Sequence, residues 1–296
     1  MKIHSMNLFD RIFHRLVECD FLYRNVLNRR PTREYRHHRA VLCDEGRRIL
    51  KALNDDGVAI SHVSRFAAMQ PLFDALREQA CRAESQRRKR VPANSDQARA
   101  YAFMSNVLGS YPRFNPDSVY ARFACQAPFL EIINAYFDMF VQLRKYAVFR
   151  HSGGGLSENG KWHRDGRCDT SVVRLFAYFA DVGACNGAMR YARGTHRKGA
   201  QGSRIEIAPA SLDRQAVSCD GPAGTLVFAD TRGYHRAGDF TQGERWVFNG
   251  VFTSPGFGAD YFTRTGKRRP VRGNPLSWAL SSPLTLTDNF APDQSR

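Results

Sequence analysis

The amino-acid sequence predicts a mainly β fold preceded by helices, with an antiparallel barrel or sandwich in its C-terminal half. Two observations predict it. Up to about residue 140 apolar residues recur at the spacing of helices, and beyond that point β-rich runs are separated by glycine-containing turns. The predicted strands are Val141–Phe149, Val172–Phe179, Thr225–Ala229 and Arg245–Phe252.

The length of the chain suits a single domain over residues 1–296, because a chain of this size buries a sizeable core and a β barrel can occupy most of it. Within this domain we expect three parts. They are a mainly helical part over residues 1–140, a β core over residues 141–262 and a basic extension over residues 263–296.

Several helices and one strand are predicted in the N-terminal part. From Asn7 to Leu27 apolar residues follow a helical period with arginines on the other side. We expect this helix to pack on the domain, with attachment to a membrane surface as the alternative. The other predicted elements are a helix over Cys43–Leu53, a strand over Val58–Ile60, a helix over Phe66–Ala83, an exposed loop over Arg87–Asn94 and a helix from Pro128 to Phe140.

The chain is strongly basic, which favours anionic partners. Its 44 Lys and Arg residues exceed its 28 Asp and Glu residues, giving a formal net charge of +16 that is concentrated in residues 29–39, 87–90 and 264–272. We do not expect nucleic-acid binding, because the sequence has neither a Cys/His finger nor an aromatic RNP-type strand. A polyanion-binding protein, directed to nucleic acid or a membrane surface, is an alternative that salt-dependent binding would favour.

The seven cysteines are scattered and include no CxxC pair, so we expect reduced thiols rather than disulfides or a thiolate metal site. No apolar run reaches the ~18 residues of a membrane span, and charged residues interrupt the hydrophobic clusters at the N-terminus. These features predict a cytoplasmic protein. The sequence makes no prediction about its oligomeric state.

A histidine and a carboxylate two residues apart, His163 and Asp165, stand at the start of the β-rich half. Alternate side chains of an extended strand point to the same face, so both are expected to project into the barrel. His235 is the best candidate for a third ligand, because it comes just after the strand-like run Gly224–Asp230. Two histidines and one carboxylate on one side of a metal ion are the ligand set of non-haem Fe(II) oxygenases.

Arg245 follows His235 by ten residues, with a polar, glycine-containing turn between them. If the flanking segments form a hairpin centred near Phe240, the two side chains lie opposite each other and face the same interior. A guanidinium in that position could bind a carboxylate with two hydrogen bonds, which suits a dicarboxylate that binds the metal at its other end.

Five features in this order carry a resemblance to a known family. They are the HxD motif at 163–165, a strand ending at Asp181, the segments Asn186–Met189 and Arg193–His196, the run Gly224–Asp230, and His235 with Arg245. In these features the region from Leu143 to Ser254 resembles the phytanoyl-CoA dioxygenase family of Fe(II)- and 2-oxoglutarate-dependent oxygenases.

The resemblance implies a double-stranded β-helix, a cupin-like jelly roll braced by N-terminal helices. It implies that His163, Asp165 and His235 bind Fe(II) and that Arg245 holds the distal carboxylate of 2-oxoglutarate. It implies further cosubstrate contacts from Tyr178, Tyr146 and Lys145. The implied reaction uses O2 to hydroxylate a C–H bond of a small, anionic metabolite, acyl compound or natural-product intermediate, and yields succinate and carbon dioxide.

Some details of the sequence limit this interpretation. No proline precedes Gly194, where many family members have one, and His196 in that segment is interpreted as a turn-stabilising residue. His151 has the wrong spacing for a ligand and is interpreted as a loop or substrate-side residue. The carboxylate of Asp165 disfavours halogenation, and residues 245–249 lack the pattern of DNA-alkylation repair. A non-catalytic jelly-roll binding protein is a second alternative, against which the intact ligand set argues.

Overall fold

The computed structural model describes residues 19–89, 104–109, 111–152, 160–165, 172–197, 207–256, 261–285 and 287–289. The strands are β1 (Val58–His62), β2 (Met104–Asn106), β3 (Gln142–Ser152), β4 (Val172–Tyr178), β5 (Met189–Ala192), β6 (Ala216–Cys219), β7 (Thr225–Asp230), β8 (His235–Ala237) and β9 (Glu244–Thr253). The α-helices are Asp20–Leu22, Arg29–His37, Asp44–Asp55, Met69–Arg88, Val119–Ala124, Ala127–Phe137, Pro209–Gln215 and Pro275–Ala279.

These strands form two antiparallel sheets. The larger has six strands in the order β1-β7-β4-β9-β3-β2, and the smaller has three in the order β6-β5-β8. The four strands predicted in the C-terminal half are present as β3, β4, β7 and β9, and they are the central neighbours of the larger sheet. The predicted order of helices followed by antiparallel strands is therefore confirmed.

The two faces of the larger sheet have different surroundings, because side chains alternate along each strand. One face packs against helices: the ring of Phe248 in β9 lies edge-on to that of Phe123, with their centres 5.5 Å apart. The other face turns toward the smaller sheet, and an apolar cluster that includes Val247 of β9 and Tyr191 of β5 joins the two sheets. The core thus has two layers, one beneath the helices and one between the sheets.

The predicted helix over Cys43–Leu53 is observed as Asp44–Asp55. Cys43 caps it, since its Sγ accepts a hydrogen bond from the Gly46 amide at 3.4 Å. The chain then turns at Gly57, whose φ of +82° is left-handed, and enters β1. A Cβ at this position would also collide with the hydroxyl of Tyr191.

Two helix ends differ from the predictions. The helix Met69–Arg88 continues past the predicted end, so Arg88 lies in its last turn, paired with Glu84 at 3.1 Å, and not in a loop. Lys89 is the C-cap of this helix, and residues 90–94 of the predicted loop lie outside the described residues. The helix Ala127–Phe137 stops before Phe140 because Asp138 adopts a left-handed φ of +53°.

Both ends of the described chain pack on the domain. Of the helix predicted over Asn7–Leu27, the residues from 20 onward are helical, and Tyr23 and Leu27 are buried in the core. Within the basic extension, Trp278 is fully buried and its Nε1 donates to Glu34 Oε2 at 2.9 Å. Across the described ranges, none of the helices combines the length and the apolar character needed to cross a bilayer.

We expect Phe248→Ala to lower the free energy of unfolding by about 3–5 kcal/mol, because it opens a cavity where the helices meet the larger sheet. Denaturant-induced unfolding measures this change. Val271→Ala is the control, since Val271 is 61% exposed and such changes stay within about 0.5 kcal/mol. Equal effects of the two substitutions would contradict the packing described above.

Candidate metal centre

The candidate ligands are brought together by a backbone pair between two distant segments. The His163 amide donates to the His235 carbonyl at 3.0 Å, and the His235 amide donates to the His163 carbonyl at 2.9 Å. Residues paired in this way project their side chains to the same face, and the two imidazole centres lie 4.3 Å apart. Two residues further, the Asp165 amide donates to the Thr231 carbonyl at 2.8 Å and holds the carboxylate beside them.

Backbone carbonyls also fix the orientation of both imidazoles. Nδ1 of His163 lies 2.9 Å from the Lys161 carbonyl oxygen, and Nδ1 of His235 lies 3.0 Å from that of Gly233. A carbonyl only accepts, so each Nδ1 is the protonated nitrogen and each Nε2 keeps its lone pair. This arrangement is the usual one for histidines that bind metal through Nε2.

The ligand atoms of His163, Asp165 and His235 converge on one point. They lie within 4.8 Å of one another, and His235 Nε2 is 3.6 Å from Asp165 Oδ2. That oxygen is buried and lies 2.8 Å from Nε of Arg174, an ion pair without hydrogen-bond geometry. Two imidazoles and a carboxylate that converge in this way are a donor set that a divalent cation can bind.

Burial and the surrounding charges together hold two of these groups in the protonation states that bind metal. Burial, reinforced by His163 and opposed by Asp165, lowers the pKa of His235 to about 4, so its imidazole is neutral at neutral pH. Burial would raise the pKa of Asp165, but Arg174, whose Nε lies 2.8 Å from Oδ2, and then His235 together lower it. A neutral imidazole and an ionised carboxylate bind a cation without first losing protons.

The three groups line a cavity of about 300 Å³ between the sheets. Its wall also contains Arg174 and Tyr178 of β4 and Arg245 of β9. A metal held here would therefore face a pocket large enough for small organic molecules.

Arg245 is buried in this wall, and none of the described residues provides a countercharge for it. Its Nη1 donates to the Gly187 carbonyl, and its Nη2 lies 3.4 Å from each ring nitrogen of His151, its partner across β3 and β9. Its Nε is buried without a hydrogen-bond partner, and no carboxylate within the described ranges lies within 4.0 Å of the guanidinium. Burial lowers its pKa, yet an arginine side chain stays charged at any physiological pH.

The predicted hairpin between His235 and Arg245 is wrong, although both side chains do line the same cavity. His235 begins β8 in the smaller sheet, whereas Arg245 lies in β9 of the larger sheet. The intervening residues pair elsewhere: Phe240 forms a bridge with Asn186, so the chain crosses from one sheet to the other.

The three other predicted cosubstrate contacts have different outcomes. Tyr178 lines the cavity, and its hydroxyl donates to the Cys219 carbonyl at 2.8 Å. Lys145 is not part of the cavity wall. Its Nζ lies 5.2 Å from the ring centre of Tyr261, and burial, followed by the charge of Arg174, lowers its pKa.

Tyr146 faces the opposite side of β3. It is buried under the helices, where its ring stacks on Tyr120 with centres 5.7 Å apart and contacts Phe262 at 4.7 Å. The structure therefore places Tyr146, a predicted cosubstrate contact, away from the cavity wall, because adjacent residues of the strand point to opposite faces.

Sequence reasoning missed Arg174 and Asn249 and underestimated His151, all of which line the cavity. Asn249 is only 3% exposed, and its Oδ1 has no hydrogen-bond partner in the described part of the chain. The sequence did contain an indication of both residues. Arg174 lies four residues before Tyr178, and Asn249 lies four residues after Arg245, and this spacing in a strand places each pair on the same face.

We expect His163→Ala to weaken binding of Fe(II) by more than about 100-fold, because it removes one of three ligands and even outer contacts are worth about 10–100-fold. Calorimetric titration under anaerobic conditions measures the dissociation constant. His37→Ala, which changes an exposed histidine of a surface helix, is the matched control and should bind as the unaltered protein does. Unchanged affinity in His163→Ala would rule out this centre.

No protein-family model matches the sequence, and no curated protein matches it either. Solved structures do resemble its fold. AviO1 from Streptomyces viridochromogenes Tue57 is 17% identical, with a TM-score of 0.52 over 75% of this chain and 99% of that protein. EctD from S. alaskensis, a crystal structure with bound Fe, is 17% identical, with a TM-score of 0.51 over 77% of this chain and 85% of that protein. These likenesses confirm the jelly-roll, double-stranded β-helix fold that the sequence predicts.

Proposed function

We propose that this protein is an Fe(II)- and 2-oxoglutarate-dependent dioxygenase that hydroxylates a C–H bond of a small anionic molecule. One observation carries the proposal: two imidazoles and a carboxylate converge in a cavity whose wall also holds a buried arginine that no carboxylate of the described residues neutralises. The order of the sequence motifs supports assignment to the phytanoyl-CoA dioxygenase family. The Fe bound in EctD, which has the same fold, supports iron as the metal.

The donor set fits Fe(II). Two Nε2 atoms with free lone pairs and one carboxylate form a 2-His-1-carboxylate set, which leaves positions for a cosubstrate and O2. When bound, Fe(II) with 2-oxoglutarate and O2 supplies the oxidising power for hydroxylation, and succinate and carbon dioxide are released. The carbonyls of Lys161 and Gly233 keep both imidazoles oriented for this role.

Arg245 fits the distal carboxylate of 2-oxoglutarate. A buried guanidinium without a carboxylate partner is costly, and an anion that arrives with the cosubstrate would neutralise it. The fork of N–H groups matches a carboxylate geometrically, and the low dielectric of a buried site strengthens the interaction. Val247 and Phe176 add apolar surface to the same wall and exclude water from it.

The charge of the cavity wall supports an anionic substrate. Arg174, Arg236 and Arg245 line it. Arg174 pairs with Asp165 and Arg236 with Asp239, so among the described residues Arg245 carries the positive charge that no carboxylate balances. A bound divalent cation would make the wall more positive, and 2-oxoglutarate would offset only part of that charge. Excess positive charge around a small cavity attracts anions and raises their local concentration.

We also propose that the protein acts in the reducing environment of the cytoplasm. The six cysteines within the described ranges are all free thiols, two of them buried. Extracellular proteins of similar cysteine content more often form disulfides.

We expect Arg245→Gln to weaken binding of 2-oxoglutarate to the metal-loaded protein by about 10- to 100-fold, because charged hydrogen bonds contribute ~1.5–3 kcal/mol. Anaerobic titration with Fe(II) present measures this, and succinate formation under air should fall in parallel. Arg150→Gln is the matched control: Arg150 lies on the adjacent rung of β3 and pairs with Glu244. If Arg245→Gln binds 2-oxoglutarate as tightly as the control, Arg245 does not hold the cosubstrate.

A further inference from the structure

His151 occupies a distinctive place in the cavity wall. It lies near the end of β3, directly opposite Arg245 of β9, and is 7% exposed. Its ring lies between those of Phe149 and Phe240, with centres 6.2 Å and 6.4 Å away. These contacts fix the position of an imidazole that the metal centre does not use.

The polar surroundings of Arg245 consist of neutral groups. The guanidinium contacts the Gly187 carbonyl through Nη1 and the His151 ring through Nη2, as described above. Elsewhere in this protein an arginine with little exposed surface is neutralised directly: Arg232, whose side chain is 15% exposed, pairs with the fully buried Asp230. The fold can therefore place a carboxylate beside such an arginine, and beside Arg245 it places an imidazole.

We infer that His151 is a positioning residue for Arg245, which holds the guanidinium in place without neutralising it and so keeps its charge available to the distal carboxylate of the cosubstrate. The inference rests on the proposed function and deepens it. It assigns selectivity for a dicarboxylate to a pair of residues from adjacent strands. A carboxylate in place of His151 would compete with the cosubstrate, and an apolar side chain would leave Nη2 unrestrained.

The ionisation of His151 agrees with this role. Burial, followed by the positive charge of Arg245, lowers the pKa of His151 to about 3, although a backbone hydrogen bond with Arg245 opposes the shift. The imidazole is therefore neutral at any pH at which the protein would work. A neutral ring can accept a hydrogen bond from a guanidinium, whereas a protonated ring would repel it.

Comparing the binding of two ligands distinguishes a loss of the positioning of Arg245 from general damage to the site. 2-Oxoglutarate carries the distal carboxylate, and 2-oxopentanoate has a methyl group in its place with the same chain length. The dissociation constants of both are measured with anaerobic Fe(II)-loaded protein, and their ratio reports selectivity for the carboxylate. The variants are His151→Phe, which keeps a ring without an acceptor, and His151→Gln, which keeps an acceptor.

We expect His151→Phe to lower this ratio about tenfold, or ~1.4 kcal/mol, by weakening 2-oxoglutarate alone. His151→Gln should keep most of the selectivity of the unaltered protein. If His151→Phe has the same ratio of dissociation constants as the unaltered protein, the inference is overturned. It is also overturned if both variants bind both ligands more weakly by the same factor. Arg245→Gln tests the proposed function separately: if it leaves the ratio unchanged, the cosubstrate assignment fails, whereas a lowered ratio beside an unaffected His151→Phe contradicts only the role of His151.

Discussion

The candidate metal site depends on one backbone pair, in which His163 and His235 exchange both of their peptide hydrogen bonds. These residues are far apart in sequence, and the pair connects the segment before β4 to the first residue of β8 in the smaller sheet. Because both side chains of such a pair project to one face, the two imidazoles need no other device to meet. Asp165 joins them because the same segment continues for two residues and bonds to Thr231.

Burial then determines the chemistry that these groups can perform. Burial lowers the pKa of His235 and of His151, so both imidazoles are neutral. Burial alone would raise the pKa of Asp165, but the positive charge of Arg174 opposes this and the carboxylate stays ionised. Arg245 stays charged but has only neutral neighbours within the described residues. The cavity thus contains ligands ready for a cation and a cation ready for a carboxylate, which together match a chelating dicarboxylic keto acid.

Much of this was predictable from the sequence, because strand alternation and the order of motifs are local. The core strands followed from their period, and the convergence of His163, Asp165 and His235 was expected from strand alternation together with the resemblance to a known family. Strand partners are not local: nothing in the period of residues 235–245 shows that Phe240 bridges to Asn186 and carries the chain to the other sheet. Because side chains alternate along a strand, Lys145 and Tyr146 cannot both face the cavity. The sequence does not show which of them does, because the strand has an irregular register between Leu143 and Lys145.

The most direct test of the central claim is a crystal structure of the protein prepared without oxygen in the presence of Fe(II) and 2-oxoglutarate. We expect one iron bound by Nε2 of His163, Nε2 of His235 and the carboxylate of Asp165, with the distal carboxylate of 2-oxoglutarate on the guanidinium of Arg245. Iron bound at other residues, or a cosubstrate whose distal carboxylate lies away from Arg245, would contradict the account.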